Sequence, residues 1–482
     1  MASLKQQTIS GMIWSGVQRF GTMGISFISN MVLARLLTPD DFGCIGMLAI
    51  FIALSNTFID GGFGSALIQK KEPTQEDYST IFYWNIILGV ILYLILYLSS
   101  PYIASFYDIP LLEKVLKVQG LVLIINAFSI IQSNQLRKKI LFKRLAFVNV
   151  VATTISVIIA IVMAYNSMGI WSLVVQQLSF SFFSTVFLWI IGKWHPSLVF
   201  SLSSFKELFS FGSFILLSSF VNTLFNNING LIIGKLFSPS TMGYFSQAKK
   251  VEDVSALSIT HVIEQVTYPL LAEYQNDAKN LRVILSKVNA TLLYIIAPLM
   301  LIVNLLSEQI IVFLFSDKWL PSAPYLQILA IQGIMITLQG VNYNALAAIG
   351  KSKTLFTSTI IKRFSSILFM IIGVVVGDVI GLLWGMTFSS CFIALYNMLL
   401  VAKYLDFSLA NQLKPLLPIM TISIIAFLAC LLLKSVLELQ LMLNGIIIGL
   451  TFILLYVLMT LCFKIPYLSI ILTAIRSKIL KR

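Results

Sequence analysis

Charge is what this sequence has least of. Only 11% of its 482 residues are Asp, Glu, Lys or Arg, against 58% that are hydrophobic, and the mean hydropathy is +0.93. A water-soluble chain of this length cannot hide so much apolar surface, so lipid must be its main solvent. Histidine is nearly absent, at two residues, and the four cysteines (Cys44, Cys391, Cys430, Cys462) sit in apolar runs at no metal-ligand spacing. These cysteines read as small core residues. There is no Walker loop, metal-binding cluster or nucleophile elbow, which excludes ATP hydrolysis in this chain and points to no cofactor and no enzyme. Long polar connections are also missing. The longest, around His195 to Lys206 and Leu271 to Lys287, cannot hold an independent domain, which weighs against a polymerase or ligase. Met1 to Ser10 carries one lysine and runs into an apolar stretch with no cleavage site, so the first span is expected to stay.

What is present is a succession of apolar segments, each near the roughly 20 residues that cross a bilayer. Spans are expected near 9–36, 42–68, 80–106, 115–134, 145–166, 169–192, 208–234, 243–271, 289–315, 324–349, 355–376, 379–402, 415–433 and 443–463. With the N-terminus inside, alternation gives the inner side most of the basic residues, including Lys70, Lys71, Arg137, Lys138, Lys139, Lys143 and Arg144. The outer side keeps only Arg35, Lys114, Lys117, Lys235, Lys318 and Lys434. That is the positive-inside bias, and a missed or invented span in the middle would scramble it. The net charge of +14 is therefore a topology signal, and no soluble basic face exists for nucleic acid.

An internal repeat appears at an offset of 200 residues. Arg35 to Gly43 (RLLTPDDFG) lines up with Lys235 to Gly243 (KLFSPSTMG), and Leu116 to Gly120 more weakly with Leu329 to Gly333. Six helices separate the members of each pair, so the halves keep the same orientation. The expected fold is an all-α polytopic membrane protein of about fourteen transmembrane helices. Two six-helix lobes (1–200 and 201–405) form a parallel repeat, followed by two C-terminal helices and a basic tail (406–482). Two such lobes are expected to leave a central cavity near the midplane.

Charges inside spans then become informative. The eighth span carries Lys249, Lys250, Glu252, Asp253, His261 and Glu264. Each would cost about 2.5–3.5 kcal/mol at a helix centre in lipid, so they must face protein or water. Lys250, Asp253, Leu257, His261 and Glu264 fall on one stripe at helical spacing. Internal ion pairs, such as Lys249 with Glu252 or Asp253, are one reading of this helix, and a wet cavity wall is the other. Arg19 lies roughly 16 Å into the first span, counting 1.5 Å per residue, and calls for a cavity or a pair with Asp60. Asp60 itself reads as a cation or proton site or as the partner of a nearby base. Asn222, Asn226 and Asn229 share a face of the seventh span, where amides either bind sugar hydroxyls or cross-link helices.

The runs VLARLLTPDDFG (32–43) and FIDGGFGSALIQKK (58–71), followed by LIIGKLFSPSTMGYFSQAKKVEDV (231–254), VTYPLLAEYQND (266–277) and SDKWLPSAPYLQIL (316–329), resemble one family. It is the polysaccharide exporters of the multidrug/oligosaccharidyl-lipid/polysaccharide superfamily, in particular Wzx-type, colanic-acid-exporter-like flippases. The resemblance implies a flippase in the bacterial inner membrane, with N- and C-termini cytoplasmic. Its cargo would be an undecaprenyl-diphosphate-linked oligosaccharide, moved by alternating access for O-antigen, capsule or exopolysaccharide assembly. Membrane lipids surround it, and polymerase and chain-length machinery are possible partners. Arg19, Lys249, Lys250 and His261 would then attract the diphosphate, Asn222 and Asn226 would meet sugars, and Asp60, Asp253 and Glu264 would couple an ion. Arg35 and Lys235, near the outer mouth, read better as structural caps. The alternatives are a cation-coupled multidrug antiporter, which needs an acid-lined pocket, a peptidoglycan-precursor flippase, and a non-transporting scaffold.

Overall fold

The computed structural model describes residues 4–257, 267–437 and 440–467. His261, Glu264 and the end of the basic tail lie outside the described residues. Within them the chain is helical and contains no strand. Among the described residues eleven helices are long and apolar enough to cross a membrane, which makes the chain a multi-pass membrane protein.

The first part contains α1 (Leu4–Leu36), α2 (Pro39–Asp60), the short α3 (Phe63–Gln69), α4 (Gln75–Tyr107), α5 (Leu111–Gln119), α6 (Leu121–Lys138), α7 (Phe142–Tyr165), α8 (Ile170–Gly192) and α9 (Leu202–Leu236). α10 (Pro239–Glu252) runs into one π-helical turn, Asp253–Leu257. After it come α11 (Ala278–Leu305), α12 (Ser307–Phe315), α13 (Ala323–Ala348), α14 (Ser352–Leu405), α15 (Leu409–Leu413), α16 (Leu417–Val436) and α17 (Leu441–Cys462). α14 is two helices joined at a corner, because Asp378 takes φ +52° and Gly377 leaves helical geometry beside it. The expected break between spans 355–376 and 379–402 falls on that corner. With α14 divided, the described helices are compatible with the expected spans, of which 243–271 runs beyond the described residues at 258–266.

Contacts divide the chain into two compact units, Met1–Gly243 and Tyr244–Arg482. In the first, α1 lies along α7, α7 along α8, and α6 against both α4 and α8. α9 packs on α2, α3 and α4. The α2–α9 seam uses small residues, as membrane helices do when lipid gives no hydrophobic drive to associate. A methyl group at Gly230 would stand 2.6 Å from the Gly46 carbonyl oxygen, and one at Gly62 would stand 2.3 Å from that of Gly212.

Local chemistry explains the repeated motif. Thr38 caps α2, its hydroxyl accepting from the Asp41 amide while Asp41 accepts from the Thr38 amide, and Pro39 opens the helix. Ser238 caps α10 in the same manner through the Thr241 amide, again just before a proline. Such caps contribute about 1 kcal/mol each. The two starts then cross: a Cβ on Gly43 would lie 1.8 Å from the Pro239 carbonyl oxygen, and one on Gly243 would lie 2.1 Å from that of Pro39. Ser240 adds a hydrogen bond to Asp40 at 2.7 Å. Each glycine is thus required by the proline of the other copy.

The FIDGGFGSALIQKK run is also architectural. Gly61 ends α2 at φ +55° and Gly62 starts α3 at φ +71°, so the expected second span is bent here. Lys138 donates to the carbonyls of Leu67, Ile68 and Lys70, closing the C-terminus of α3. Lys70 bridges Asp77 and Glu207 at 3.0 and 2.9 Å.

In the second unit, α13 is the buried centre, packed between α11 and α14. Gln332 and Gln339 donate to the hydroxyl and carbonyl oxygens of Ser390 across the α13–α14 seam. The two limbs of α14 approach through glycine, with a Cβ on Gly373 falling 2.1 Å from the Gly381 carbonyl oxygen. Cys44 and Cys430 are buried, but Cys462 is exposed, so the core reading of the cysteines fails there. It lies on the outer surface of an apolar helix, where a thiol is as acceptable to lipid as an alkyl group.

Candidate functional site

The first unit carries an open cavity of about 490 Å³, within the range of small-molecule sites. Its wall is assembled by helical periodicity. Gln18, Thr22 and Ser26 recur every fourth residue on α1; Asn149, Thr153 and Ser156 form a stripe on α7. α2 contributes Ile52 and Asn56, α6 Val122 and Asn126, and α8 Gln176, Gln177, Phe180 and Ser181. The lining combines amides and hydroxyls with the apolar Ile52, Val122 and Phe180, and among the described residues it holds no ionisable group.

Hydrogen bonds fix this wall. Asn126 donates to Asn56 Oδ1 at 3.0 Å, Gln119 to Gln177 Oε1 at 2.7 Å, and Gln176 to the Ser29 hydroxyl at 3.0 Å. The hydroxyls of Thr22, Thr153 and Ser156 donate to the carbonyls of Gln18, Asn149 and Thr153 on their own helices. Asn149 donates likewise to Leu145. Each of these groups has committed a proton to the backbone, and its oxygen lone pairs remain to accept. The cavity therefore offers hydroxyl acceptors together with amide N–H donors and complements a ligand rich in hydroxyl groups.

The charged groups singled out by sequence lie elsewhere. Arg19 is exposed and is not part of this lining, although its neighbours Gln18 and Thr22 are. Asp60 Oδ1 and Asn134 close around Gly64, and the cation facing Asp60 is Arg137 rather than Arg19. Asn222 and Asn226 are exposed on α9, while Thr223 beside them bonds Thr57 across the α2 seam at 3.0 Å. Lys249 sits between two carboxylates, bonded to Glu252 and, at 2.6 Å, to Asp253. Glu252 is fully buried, and the π turn begins at Asp253. A π turn inside an α-helix frequently marks a functional position. Lys250 is half-buried on the same helix. Arg35 is exposed at the end of α1. Lys235 donates to the Phe106 carbonyl at 2.6 Å and pairs with Asp108 at 3.2 Å, closing the C-terminus of α4.

Sequence reasoning passed over the cavity because it searched for charge. The readable signal was the neutral polar stripe at four-residue spacing on α1 and again on α7.

Comparison with known proteins agrees with this architecture. The chain is 27% identical over 358 residues to the teichuronic acid biosynthesis protein TuaB of Bacillus subtilis, covering 74% of each. It is 26% identical over 390 residues to the lipopolysaccharide biosynthesis protein WzxC of Escherichia coli, covering 80% of this chain and 78% of that one. Among solved structures, the lipid II flippase MurJ in an inward closed conformation superposes with a TM-score of 0.74 at 18% identity, over 95% of this chain and all of that one. An inward-facing MATE multidrug resistance transporter of the MOP superfamily superposes with a TM-score of 0.63 at 13% identity, over 82% and 98%. These likenesses place the fold among the MOP transporters. Matched by the model of the polysaccharide biosynthesis protein family over residues 32–324, which is more than half its length, the chain belongs to that family.

Proposed function

We propose that the chain is a flippase that moves a lipid-linked oligosaccharide, carried on undecaprenyl diphosphate, across the bacterial inner membrane for surface polysaccharide assembly. The observation that carries this reading is the cavity of amides and hydroxyls in the first unit. Sugars are recognised through many neutral hydrogen bonds, and a wall of that kind inside a membrane protein is costly unless a polar cargo uses it. A cationic-drug antiporter needs a carboxylate in its pocket, and this lining has none.

In this reading the protein is a transporter and not an enzyme, with both termini cytoplasmic and lobes 1–200 and 201–405 working by alternating access. The diphosphate is met by Arg19 and Lys250, with Lys249 contributing only when its carboxylates release it. His261 is a further contact to the substrate, and Asp60, Asp253 and Glu264 are the groups available for ion coupling. Asn222 and Asn226 offer amides to the sugar. The polysaccharide polymerase and chain-length machinery receive the product.

Deletion of the gene tests this. The expected result is loss of surface polysaccharide with accumulation of lipid-linked repeat units facing the cytoplasm. Unchanged surface polysaccharide with no accumulation would sink the proposal, and essentiality with arrested peptidoglycan synthesis would favour the precursor flippase.

A further inference from the structure

We infer that the cavity of the first unit is a subsite for one uncharged, hydroxyl-rich sugar of the cargo, and that it rejects acidic sugars and phosphate. The inference rests on the transport reading above and deepens it at the same cavity.

Three observations converge. Among the described residues the lining contains no cation, so a carboxylate or phosphate entering it would give up part of its hydration without a counter-charge. The wall presents neutral hydrogen-bonding groups of both kinds: the hydroxyls of Thr22, Thr153 and Ser156 give their protons to backbone carbonyls and keep lone pairs to accept, while Asn149, Asn126 and Gln176 each keep an amide N–H to donate. An ionised carboxylate or phosphate finds no counter-charge at such a wall, whereas every hydroxyl of a hexose, and the amide of an N-acetylhexosamine, can pair with a neutral group. Finally, Phe180, Ile52 and Val122 set apolar surface beside the amides and hydroxyls, a place for the C–H face of a pyranose. The amide pairs Asn126–Asn56 and Gln119–Gln177 hold the wall in place before any ligand arrives. Preorganisation of this kind favours specificity over adaptability. The cargo is then gripped in two chemically distinct places, the neutral sugar here and the anionic diphosphate outside this cavity.

Saturation-transfer NMR on the purified full-length chain in detergent tests this with methyl glucoside, N-acetylglucosamine and glucuronate at millimolar concentration. The two neutral sugars are expected to bind, and glucuronate to bind at least about ten-fold more weakly, the effect of one lost hydrogen bond to a charged group. Ser156→Trp should fill the cavity and abolish the neutral signal. Thr153→Val, which keeps the shape and removes one acceptor, should weaken it and decides the question if the tryptophan variant does not fold. Gln177→Arg should turn the preference toward glucuronate. Equal binding of glucuronate and the neutral sugars, or neutral binding unchanged in the folded variants, overturns the subsite.

Complementation of a deletion strain separates the two proposals. Export restored by the wild type and untouched by Ser156→Trp and Gln177→Arg overturns the subsite and leaves the transporter standing. No restoration of export, with neutral-sugar binding intact, overturns the transporter and leaves the subsite.

Discussion

Gly43→Ala places a methyl group where the structure already has a carbonyl oxygen. The new Cβ would lie 1.8 Å from Pro239 O, and the mirror change Gly243→Ala would put one 2.1 Å from Pro39 O. A carbon and a carbonyl oxygen rest at about 3.3 Å or more, so the crossing must open by roughly 1.2–1.5 Å. The obstacle is backbone on both sides and cannot rotate away, which puts the cost at the upper part of the about 1–3 kcal/mol range for overpacking. Alanine's better helix propensity offsets about 1 kcal/mol. A net loss of about 2 kcal/mol is therefore expected for either substitution. Once one methyl group has parted the helix starts, the second enters cheaply, so the double variant should lose clearly less than the sum. Thermal unfolding of the purified variants in detergent, followed by tryptophan fluorescence, reads all three. Melting of Gly43→Ala at or above the wild type, or strict additivity in the double variant, would refute the reciprocal crossing.

Lys249→Met should be among the most damaging single changes, because it strands the fully buried Glu252; the expected loss is about 3–5 kcal/mol in folded yield or melting, with Lys249→Met/Glu252→Gln recovering much of it. Lys235→Ala should cost under about 1 kcal/mol, since the Asp108 pair is solvent-exposed, and export measured at equal expression should persist. Burial works against the Lys70 ammonium, but the carboxylates of Glu207 and Asp77 outweigh it and hold its pKa above the ordinary value. The pair's stabilisation is thus complete below about pH 10 and is lost as pH rises through the raised value, so Lys70→Met should melt below wild type at pH 8 and converge on it at strongly alkaline pH. Asp277 is held below the usual carboxylate range by the Asn280 amide it caps, so its contribution is present above about pH 4 and fades as pH falls further. Asp277→Asn should therefore lose its deficit in acid, read by the same melting assay.

The helices were legible because the bilayer sets one length and one polarity, and the sequence repeats both. Even the corner at Gly377–Asp378 lay between two expected spans. The repeat was legible too, but as letters: that Thr38 and Ser238 are caps, and that Gly43 and Gly243 each answer the proline of the other copy, needed coordinates. The pairing of Lys249 with Glu252 and Asp253 could be read from spacing, since residues three and four apart share a helix face. Arg137 opposite Asp60 could not, because the two are brought together by the bend at Gly61–Gly62. The cavity was hidden for a different reason. Glutamine, asparagine, serine and threonine in a span serve as helix glue as readily as ligand contacts, and only packing distinguishes the uses.

The absence of charge on the wall of the first unit's cavity also has an electrical meaning. A membrane at 100 mV does about 2.3 kcal/mol of work on each elementary charge carried across it. Gln18, Asn56, Asn149, Gln176 and their neighbours carry none, so voltage does no work on these side chains when they move. Filling this cavity with a neutral sugar should be equally favourable in a polarised and a depolarised cell. Any voltage sensitivity of transport would then report on the phosphates and on the ionisable groups outside the cavity, and would measure how far those charges travel.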